Sequence, residues 1–278
     1  MLTDYHTHLR PDDLDARPEH FFTEENLRRY LDAAAERGIT ELGFSEHVYR
    51  FRQALDIWRH PFWEENATDD LDSYCEFIED MKRAGHHVKL GIEVDYLPGR
   101  EERIAALIEG RPWDYVIGSV HFIEEGSVDH DGYDAWRNSG SDQVWSDYFT
   151  TLGEAARSGL FDVLAHPDLV KIWGRARPAP SREPHEFYEL ALDGIIESDV
   201  AIEVSTAGLR KPVGEIYPAR ELLDMCVEAE RPISLSSDAH EPDHIGYGYD
   251  KAVTYLRESG VTRVSVFDRR RRTEEPLG

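Results

Sequence analysis

Histidines and carboxylates recur in this sequence at spacings that suit metal ligands. His6 and His8 stand two residues apart in "DYHTH", and Asp238 and His240 have the same spacing in "SDAH". Spacing i, i+2 puts two side chains on one face of a strand, so that both can reach one ion. Glu93 lies in "GIEV", a hydrophobic run in which an unpaired buried carboxylate would be costly. These residues predict a metal centre.

Three further histidines end short apolar runs in the same way, namely His47 in "SEH", His121 in "GSVH" and His166 in "AHPD". Imidazole with carboxylate, and without thiolate, suits Zn, Mn or Fe. A centre with several ions needs a bridging group, and a carboxylate bridges where an imidazole does not. Glu93 is the candidate for that role, with a salt bridge to an arginine as the alternative. Closely spaced ions would activate a water and neutralise a phosphoryl transition state.

The elements that position these residues alternate along the chain. Apolar runs bounded by polar, Gly or Pro residues predict strands at 39–47, 88–96, 114–122, 161–169, 201–208 and 232–240. Helical patterns lie between them: one is capped by Thr23 and ends at Gly38, and others lie near 71–81, 101–109, 142–157, 185–197, 217–229 and 249–259. This alternation predicts a parallel sheet, and about seven units favour closure into a barrel. The C-terminal ends of barrel strands share one mouth, so the candidate ligands are expected to converge there.

Two connections are long, residues 49–67 and 123–141, and both follow strand ends on the side where barrel enzymes build their sites. The first carries Phe51, Trp58, Phe62 and Trp63. These aromatic residues have two interpretations, a small core beneath a long loop and a lid that faces substrate.

The composition limits the classes of partner. Lys and Arg total 31 against 56 Asp and Glu, a net charge of -25. A surface this acidic repels phosphate backbones and anionic membranes, so we expect a small substrate and neither long nucleic acid nor membrane as partner. Two cysteines, Cys75 and Cys226, form no C-x-x-C motif and suit a reducing cytosol. No signal peptide or apolar run of about 18 residues is visible, so a cytoplasmic location is expected.

In combination these motifs resemble the polymerase and histidinol phosphatase (PHP) family of metal-dependent phosphoesterases. The resemblance runs from "DYHTH" through "SEH", "GIE", "GSVH" and "AHPD" to "SDAH". The stretches "GSVHFI" and "EVSTAGLRKPVGEIYP" are most similar to the histidinol-phosphatase (HisK-type) branch. The resemblance implies a distorted (β/α)7 barrel over residues 1–278 as one domain. It also implies hydrolysis of L-histidinol phosphate by a metal-bridging hydroxide.

The resemblance further implies a site for two to three divalent metal ions with three subsites. Their ligands would be His6, His8, Glu93 and Asp238 for the first, Glu93, His121 and His166 for the second, and His47 and His240 with one loop residue for the third.

The loop ligand of the third subsite is where the sequence departs from the pattern of many relatives. They carry a histidine about six residues after the second His of H-x-H, a position that Leu14 occupies here. An aspartate can replace that histidine. We favour Asp15 over Asp13, and Asp12 ranks last.

Cationic residues are also needed for a phosphate ester. Arg210, in "STAGLR", resembles a family arginine that grips the phosphate, and a guanidinium suits bidentate contact. Lys171 is a second candidate. The run Arg269–Arg272 is interpreted as a solvated strand end, with phosphate contact as the alternative. Asp238 or a nearby histidine would carry the proton, so Asp238 and His240 are candidate catalytic residues together with Glu93 and Arg210.

Three other functions stay open on the sequence. The first is another phosphoesterase of the same family, acting on nucleotides or as a 3′ exonuclease. The second is an amidohydrolase-like or TatD-like metal hydrolase. His47 and His240 disfavour it, and no lysine stands at a strand end, as Glu93 does, to serve as a carboxylated bridging ligand. The third is a non-catalytic metal-binding regulator. Native metal and oligomeric state are left undetermined.

Overall fold

A parallel sheet of seven strands organises the molecule, which the computed structural model describes over residues 1–12 and 16–278. Its order is β1-β2-β3-β4-β7-β8-β9, with every neighbouring pair parallel. The bounds of these strands are β1 Thr3–Asp4, β2 Glu41–His47, β3 Val88–Asp95, β4 Tyr115–Ser119, β7 Val163–Leu164, β8 Ala201–Ser205 and β9 Ile233–Ser236. Two antiparallel hairpins supply the other four, β5 Phe122–Ile123 with β6 Gly126–Ser127, and β10 Arg263–Asp268 with β11 Arg271–Pro276.

The sheet closes between its first and last strands. Thr7, just after β1, forms a parallel bridge with Ala239, just after β9. The His8 amide donates to the Ala239 carbonyl at 2.8 Å, and the Ala239 amide donates to the His6 carbonyl at 3.1 Å. The predicted barrel is therefore confirmed, and its seam joins the two segments that carry i, i+2 pairs of candidate ligands.

One long helix follows each strand of the sheet. These are α2 Glu24–Glu36, α4 Leu71–Arg83, α5 Glu101–Ile108, α6 Ser141–Arg157, α7 Pro184–Glu197, α8 Arg220–Glu228 and α9 Tyr249–Glu258, with α1 Pro18–Phe21 and α3 Pro61–Asn66 as short additions. Thr23 caps α2 as predicted, because its side chain accepts from the Asn26 amide at 3.2 Å. Seven strand–helix units match the predicted (β/α)7 architecture.

The bottom of the barrel is filled by aromatic rings. Tyr5 and Tyr115 pack at 5.0 Å between ring centroids, and Phe267 of β10 lies 5.3 Å from Tyr5. The Tyr115 ring occupies the space that a Cβ at Gly43 or Gly91 would need. Both positions of the barrel wall therefore require glycine, and the lower part of the barrel is a packed core with no room for a ligand.

The C-terminal hairpin β10–β11 lies at this lower end and was not predicted from the sequence. Arg270 binds Asp162 at 2.8 Å, and Arg272 binds Asp199 at 2.8 Å. Both aspartates precede strands of the barrel, β7 and β8. The arginine run 269–272 thus lies at the opposite end from the strand C-termini, which agrees with its interpretation as a strand end and not with phosphate contact.

The aromatic residues of the first long connection fit both predicted interpretations, since some lie in the core and one faces the barrel mouth. Phe51, Trp58 and Trp63 are buried and belong to the main hydrophobic core. Phe62, on α3, is partly exposed and lines the cavity at the barrel mouth. No helix in the described ranges 1–12 and 16–278 is both long and apolar enough to cross a membrane.

Candidate metal centre

The strand ends bring the candidate ligands to one place at the barrel mouth. His47 is the last residue of β2 and Glu93 lies within β3, whereas the others follow their strands by two to four residues. Those that follow are His6, His8, His121, His166, Asp238 and His240. Their ligand atoms form four overlapping triads, each within 4.8 Å: His6, His8 and Asp238; His8, His47 and His240; His6, Glu93 and His166; His47, Glu93 and His121.

Glu93 lies at the centre of this cluster, and its two oxygens face different histidines. Oε2 is 3.2 Å from His6 Nε2 and also contacts His47 Nδ1. Oε1 is 3.2 Å from His166 Nε2 and 3.4 Å from His121 Nε2. A carboxylate whose oxygens each face a separate pair of imidazoles has the arrangement that a bridging ligand requires.

The donor set fits divalent metal ions, because several of its buried polar atoms lack a hydrogen-bond partner among the described residues. These atoms are His6 Nε2, both ring nitrogens of His8, His47 Nδ1 and Glu93 Oε2. Each unpaired buried polar atom costs about 1–3 kcal/mol, so such a concentration needs an explanation. Metal ions would satisfy lone pairs that point into one shared space and have no aligned hydrogen bond.

The electrostatics of the cluster hold several ligands in the form that binds metal. Burial opposes the charge of Glu93, but the histidines around it, His47 first among them, keep the pKa of its carboxyl well below the usual range. Burial lowers the pKa of His47 to about 4 and also lowers that of His8. Carboxylate anions and neutral imidazoles are the ligand-competent forms.

In two other ligands the pKa of the imidazole is raised. Burial disfavours the charged form of His121, yet Asp95 and Glu93 raise the pKa of its imidazole to about 10. Glu93 and Glu203 likewise raise the pKa of His6 against the effect of burial. These imidazoles hold protons that bound metal would displace, so metal binding is expected to release protons.

Two buried carboxylates that the sequence analysis missed orient these same histidines. Glu203 Oε1 lies 2.9 Å from His6 Nδ1, and its Oε2 accepts from the His166 amide at 2.6 Å. Asp95 Oδ1 lies 2.8 Å from His121 Nδ1. A carboxylate at Nδ1 fixes the tautomer that leaves Nε2 free to face a metal. The available signal was an acid inside a buried strand, as in "AIEVS" and "GIEVD".

We expect Glu203→Gln to weaken metal retention about 10- to 100-fold, the usual cost of losing an outer partner of a histidine ligand. The amide keeps the size of Glu203 but lacks the charge that holds Nδ1–H of His6. Competition with a chromogenic chelator measures the affinity. Glu228→Gln, exposed on α8, is the matched control. Unchanged affinity in the Glu203 variant would contradict the orienting role.

The backbone is unusual at two candidate ligands. His166 has φ 26° and Asp238 has φ 50°, in the left-handed region that residues other than glycine seldom adopt. Such conformations persist where surrounding contacts impose them. At Asp238 the contact is with Arg210, whose Nη2 donates to the carbonyls of Ser237 at 2.9 Å and Asp238 at 2.8 Å.

Arg210 and Lys171, the two predicted phosphate ligands, are not among the residues that line the cavity above the cluster. Arg210 is partly buried and braces the Asp238 segment, and burial lowers the pKa of its guanidinium. Lys171 Nζ lies 2.9 Å from Asp168 and 3.3 Å from Glu215, beside a separate cavity. The contacts of both side chains depend on loop conformations that motif spacing does not reveal.

The cavity above the cluster has a volume of about 460 Å³. Arg10, Arg50 and Lys211 are the cationic residues that line it, and none was selected from the sequence. Ligands of the cluster that line it are His47, His121, His166, Asp238 and His240. The arrangement can hold an anionic group between metal ions and fixed cations. His130, which is not among the candidate metal ligands, lines this cavity as well.

The loop after H-x-H reaches the cavity through Asp12. Asp15 and Asp13, the favoured third-subsite ligands, lie outside the described residues. Asp12 Oδ1 lies 3.6 Å from His240 Nε2 and accepts from Arg50 Nη2 at 2.6 Å. Arg50 is itself buried and donates to Glu46 at 2.9 Å. A carboxylate that sequence reasoning ranked last is thus held beside a candidate third-subsite histidine.

Comparison with known proteins gives consistent results along the chain. A family model described as the PHP domain matches residues 20–207. A "Probable histidinol-phosphatase" of Deinococcus radiodurans is 34% identical over 242 residues, covering 86% of this chain and 89% of that protein. A "Histidinol-phosphatase" of Bacillus subtilis is 26% identical over 248 residues, covering 82% and 92%.

Among solved structures, the fold is similar to that of the histidinol phosphate phosphatase HisK of Lactococcus lactis, determined with zinc, L-histidinol and phosphate. The TM-score is 0.75 at 20% identity, covering 98% of each chain. This likeness supports the same barrel.

Proposed function

The chain belongs to the PHP-domain family, and from this premise we propose that it is a metal-dependent phosphomonoesterase that hydrolyses L-histidinol phosphate to L-histidinol and phosphate. The observation that carries the proposal is the cluster around Glu93, whose two oxygens are shared among four histidines below a cavity lined with cations. The relatives in Deinococcus radiodurans and Bacillus subtilis are named as histidinol-phosphatases, which supports histidinol phosphate as the substrate.

We assign three metal subsites to the cluster. The triad of His6, His8 and Asp238 with Glu93 supports the first, and the contacts of Glu93 with His121 and His166 support the second. His47 and His240 form the third, where their Nε2 atoms lie 3.3 Å apart. Zinc, manganese and iron all suit imidazole and carboxylate ligands.

For the loop ligand of the third subsite we propose Asp12 in place of the favoured Asp15. Asp12 lies beside His240, with its Oδ1 3.6 Å from the Nε2 atom of that histidine. Its Oδ1 accepts from Arg50 and is also the oxygen nearest His240, so the arginine holds the carboxylate beside that histidine. Burial raises the pKa of its carboxyl, but the neighbouring His240 and Arg50 lower it further, which favours a charged ligand.

The metal ions, when bound, supply a nucleophilic water at neutral pH and neutralise charge on the phosphoryl group. The protein positions the other participants. Arg50 and Lys211 face the cavity and offer positive charge to phosphate oxygens. Arg210 holds the backbone of Asp238 and so positions it. The alcohol that leaves needs a proton, and Asp238 and His240 are the ligands at the cavity that are partly exposed.

The test is a substrate panel with purified protein supplied with Zn, Mn or Fe(II). We expect kcat/KM for histidinol phosphate to exceed that for nucleoside monophosphates, nucleoside bisphosphates and p-nitrophenyl phosphate by about 100-fold or more. Activity on nucleotides without activity on histidinol phosphate would overturn the substrate and keep the phosphoesterase class. No phosphate release from any ester would overturn the class.

A further inference from the structure

The cavity above the metal cluster is lined by carboxylates that the reaction at phosphorus does not use. Asp12 lies beside His240, at the third subsite, and Arg50 binds Asp12. Asp129 and Glu65 also line the cavity. Neither belongs to the proposed ligand set. A phosphatase that bound a dianion alone would gain nothing from carboxylates at this position, because they would repel the phosphate.

Asp129 is fixed next to a metal ligand on the β5–β6 side of the mouth. The Val128 amide donates to the carbonyl of His121 at 2.8 Å, and Trp173 Nε1 donates to the carbonyl of Val128 at 2.7 Å. Ser127 Oγ donates to Asp129 Oδ1 at 2.7 Å and accepts from the Asp129 amide at 3.3 Å. The residue before Asp129 is thus tied from both sides, and the carboxylate is pre-positioned.

One oxygen of this carboxylate is open to a ligand. Oδ1 is taken by Ser127, and no described residue forms a hydrogen bond to Oδ2. Asp129 is partly exposed, and it lines the cavity together with Phe62, Phe122 and His130. Phe62 lies 5.1 Å from His130 and 5.7 Å from Phe122, measured between ring centroids. Asp129 thus offers one open carboxylate oxygen in a cavity that aromatic rings also line.

An amino alcohol phosphate with an aromatic end fits this arrangement. In histidinol phosphate two carbons separate the ester oxygen from the ammonium nitrogen, so the ammonium group must lie close to the metal-held phosphate. Asp129 follows directly on Val128, whose amide donates to the His121 carbonyl, and both Asp129 and His121 line the cavity, so the carboxylate lies on the side of the mouth next to this ligand. The imidazole beyond can pack on Phe62 and Phe122, since aromatic pairs favour tilted contacts.

We propose that Asp129 determines specificity by binding the ammonium group of the substrate's leaving alcohol, while the aromatic residues beside it hold the imidazole. This inference rests on the proposed function. It makes Asp129 a residue that selects among phosphate esters without acting on phosphorus, because its contact lies beyond the ester oxygen. A charge-assisted hydrogen bond of this kind discriminates strongly against a substrate that lacks the donor.

The experiment compares two esters, histidinol phosphate and its analogue without the amine, 3-(imidazol-4-yl)propyl phosphate. In the wild-type enzyme we expect the amine to improve kcat/KM about 10- to 100-fold. Asp129→Asn should remove most of that preference, and kcat/KM for the analogue should stay within about threefold of the wild-type value. Glu65→Gln, an acid-to-amide change in the same cavity, is the matched control and should keep the preference. Metal content and melting temperature of both variants should match those of the wild type.

Three results would overturn the inference. An Asp129→Asn variant that loses equal activity on both esters would show a role in the metal centre or the fold. A wild-type enzyme without preference for the amine would exclude ammonium recognition while leaving histidinol phosphate as a substrate. Loss of the preference for the amine in Glu65→Gln, with the preference kept in Asp129→Asn, would assign the ammonium contact to Glu65. A wild-type enzyme with no turnover of histidinol phosphate would instead overturn the proposed function, and the inference with it.

Discussion

Replacing Glu93 by glutamine is expected to abolish both metal retention and phosphate release. The carboxylate is 1% exposed, and its oxygens are shared among histidines of the proposed first, second and third subsites. An amide offers one neutral oxygen and two N–H donors, so it cannot bridge two cations. We expect a loss in kcat/KM of at least about 10³-fold, equivalent to about 4 kcal/mol of transition-state stabilisation.

Metal analysis and phosphate release should be measured on the same preparations of the Glu93 variant. Glu93→Ala provides a second test, because it removes the side chain without adding an amide donor. Glu102→Gln, exposed on α5, controls for the loss of one negative charge. Near-normal activity with a full complement of metal in either Glu93 variant would rule out the bridging role.

The second large effect is expected from Asp12→Asn. If Asp12 completes the third subsite with His47 and His240, its loss should remove about one equivalent of bound metal. The metal affinity of that subsite should fall by at least about 10- to 100-fold. Losing a residue that only orients a ligand has this cost, and a direct ligand contributes more. Turnover should fall with the occupancy, while the ions of the first and second subsites are kept.

Asp15→Asn and Asp13→Asn make this a comparison among the aspartates of one loop. Metal equivalents by elemental analysis, measured over a range of added Zn or Mn, give the affinity of the weakest subsite. The proposal predicts a loss in the Asp12 variant and wild-type equivalents in the other two. Loss in the Asp15 variant with a normal Asp12 variant would instead support the ranking made from sequence.

Much of the candidate centre was predictable because its ligands lie at strand ends, where hydrophobic runs stop. His47, His121 and His166 each end such a run, and a parallel barrel collects strand ends at one mouth whatever their separation in sequence. The closure of the barrel between its first and last strands was harder to predict. β1 has two residues, and closure depends on the bridge between Thr7 and Ala239, a pairing that no local pattern contains.

The supporting residues were not predictable for a different reason. The acid inside the apolar run of Glu203 indicates a buried charge but not its partners, because His6 Nδ1 and the His166 amide come from segments far away in the sequence. The cationic residues depend on loop conformation. Arg210 and Lys211 are neighbours in the chain, yet Lys211 lines the cavity and Arg210 turns to the backbone of Asp238. Motif resemblance selects a position and does not fix the direction of a side chain at a loop.

The claim that a metal cluster at the barrel mouth hydrolyses histidinol phosphate is tested most directly by removing and restoring the metal while phosphate release is measured. The account predicts that chelation lowers the rate by at least about 10³-fold. Activity should return in proportion to added Zn or Mn, up to about two to three equivalents per chain. A metal-free protein that keeps its rate, or a fully reloaded protein that releases no phosphate from histidinol phosphate, would contradict it.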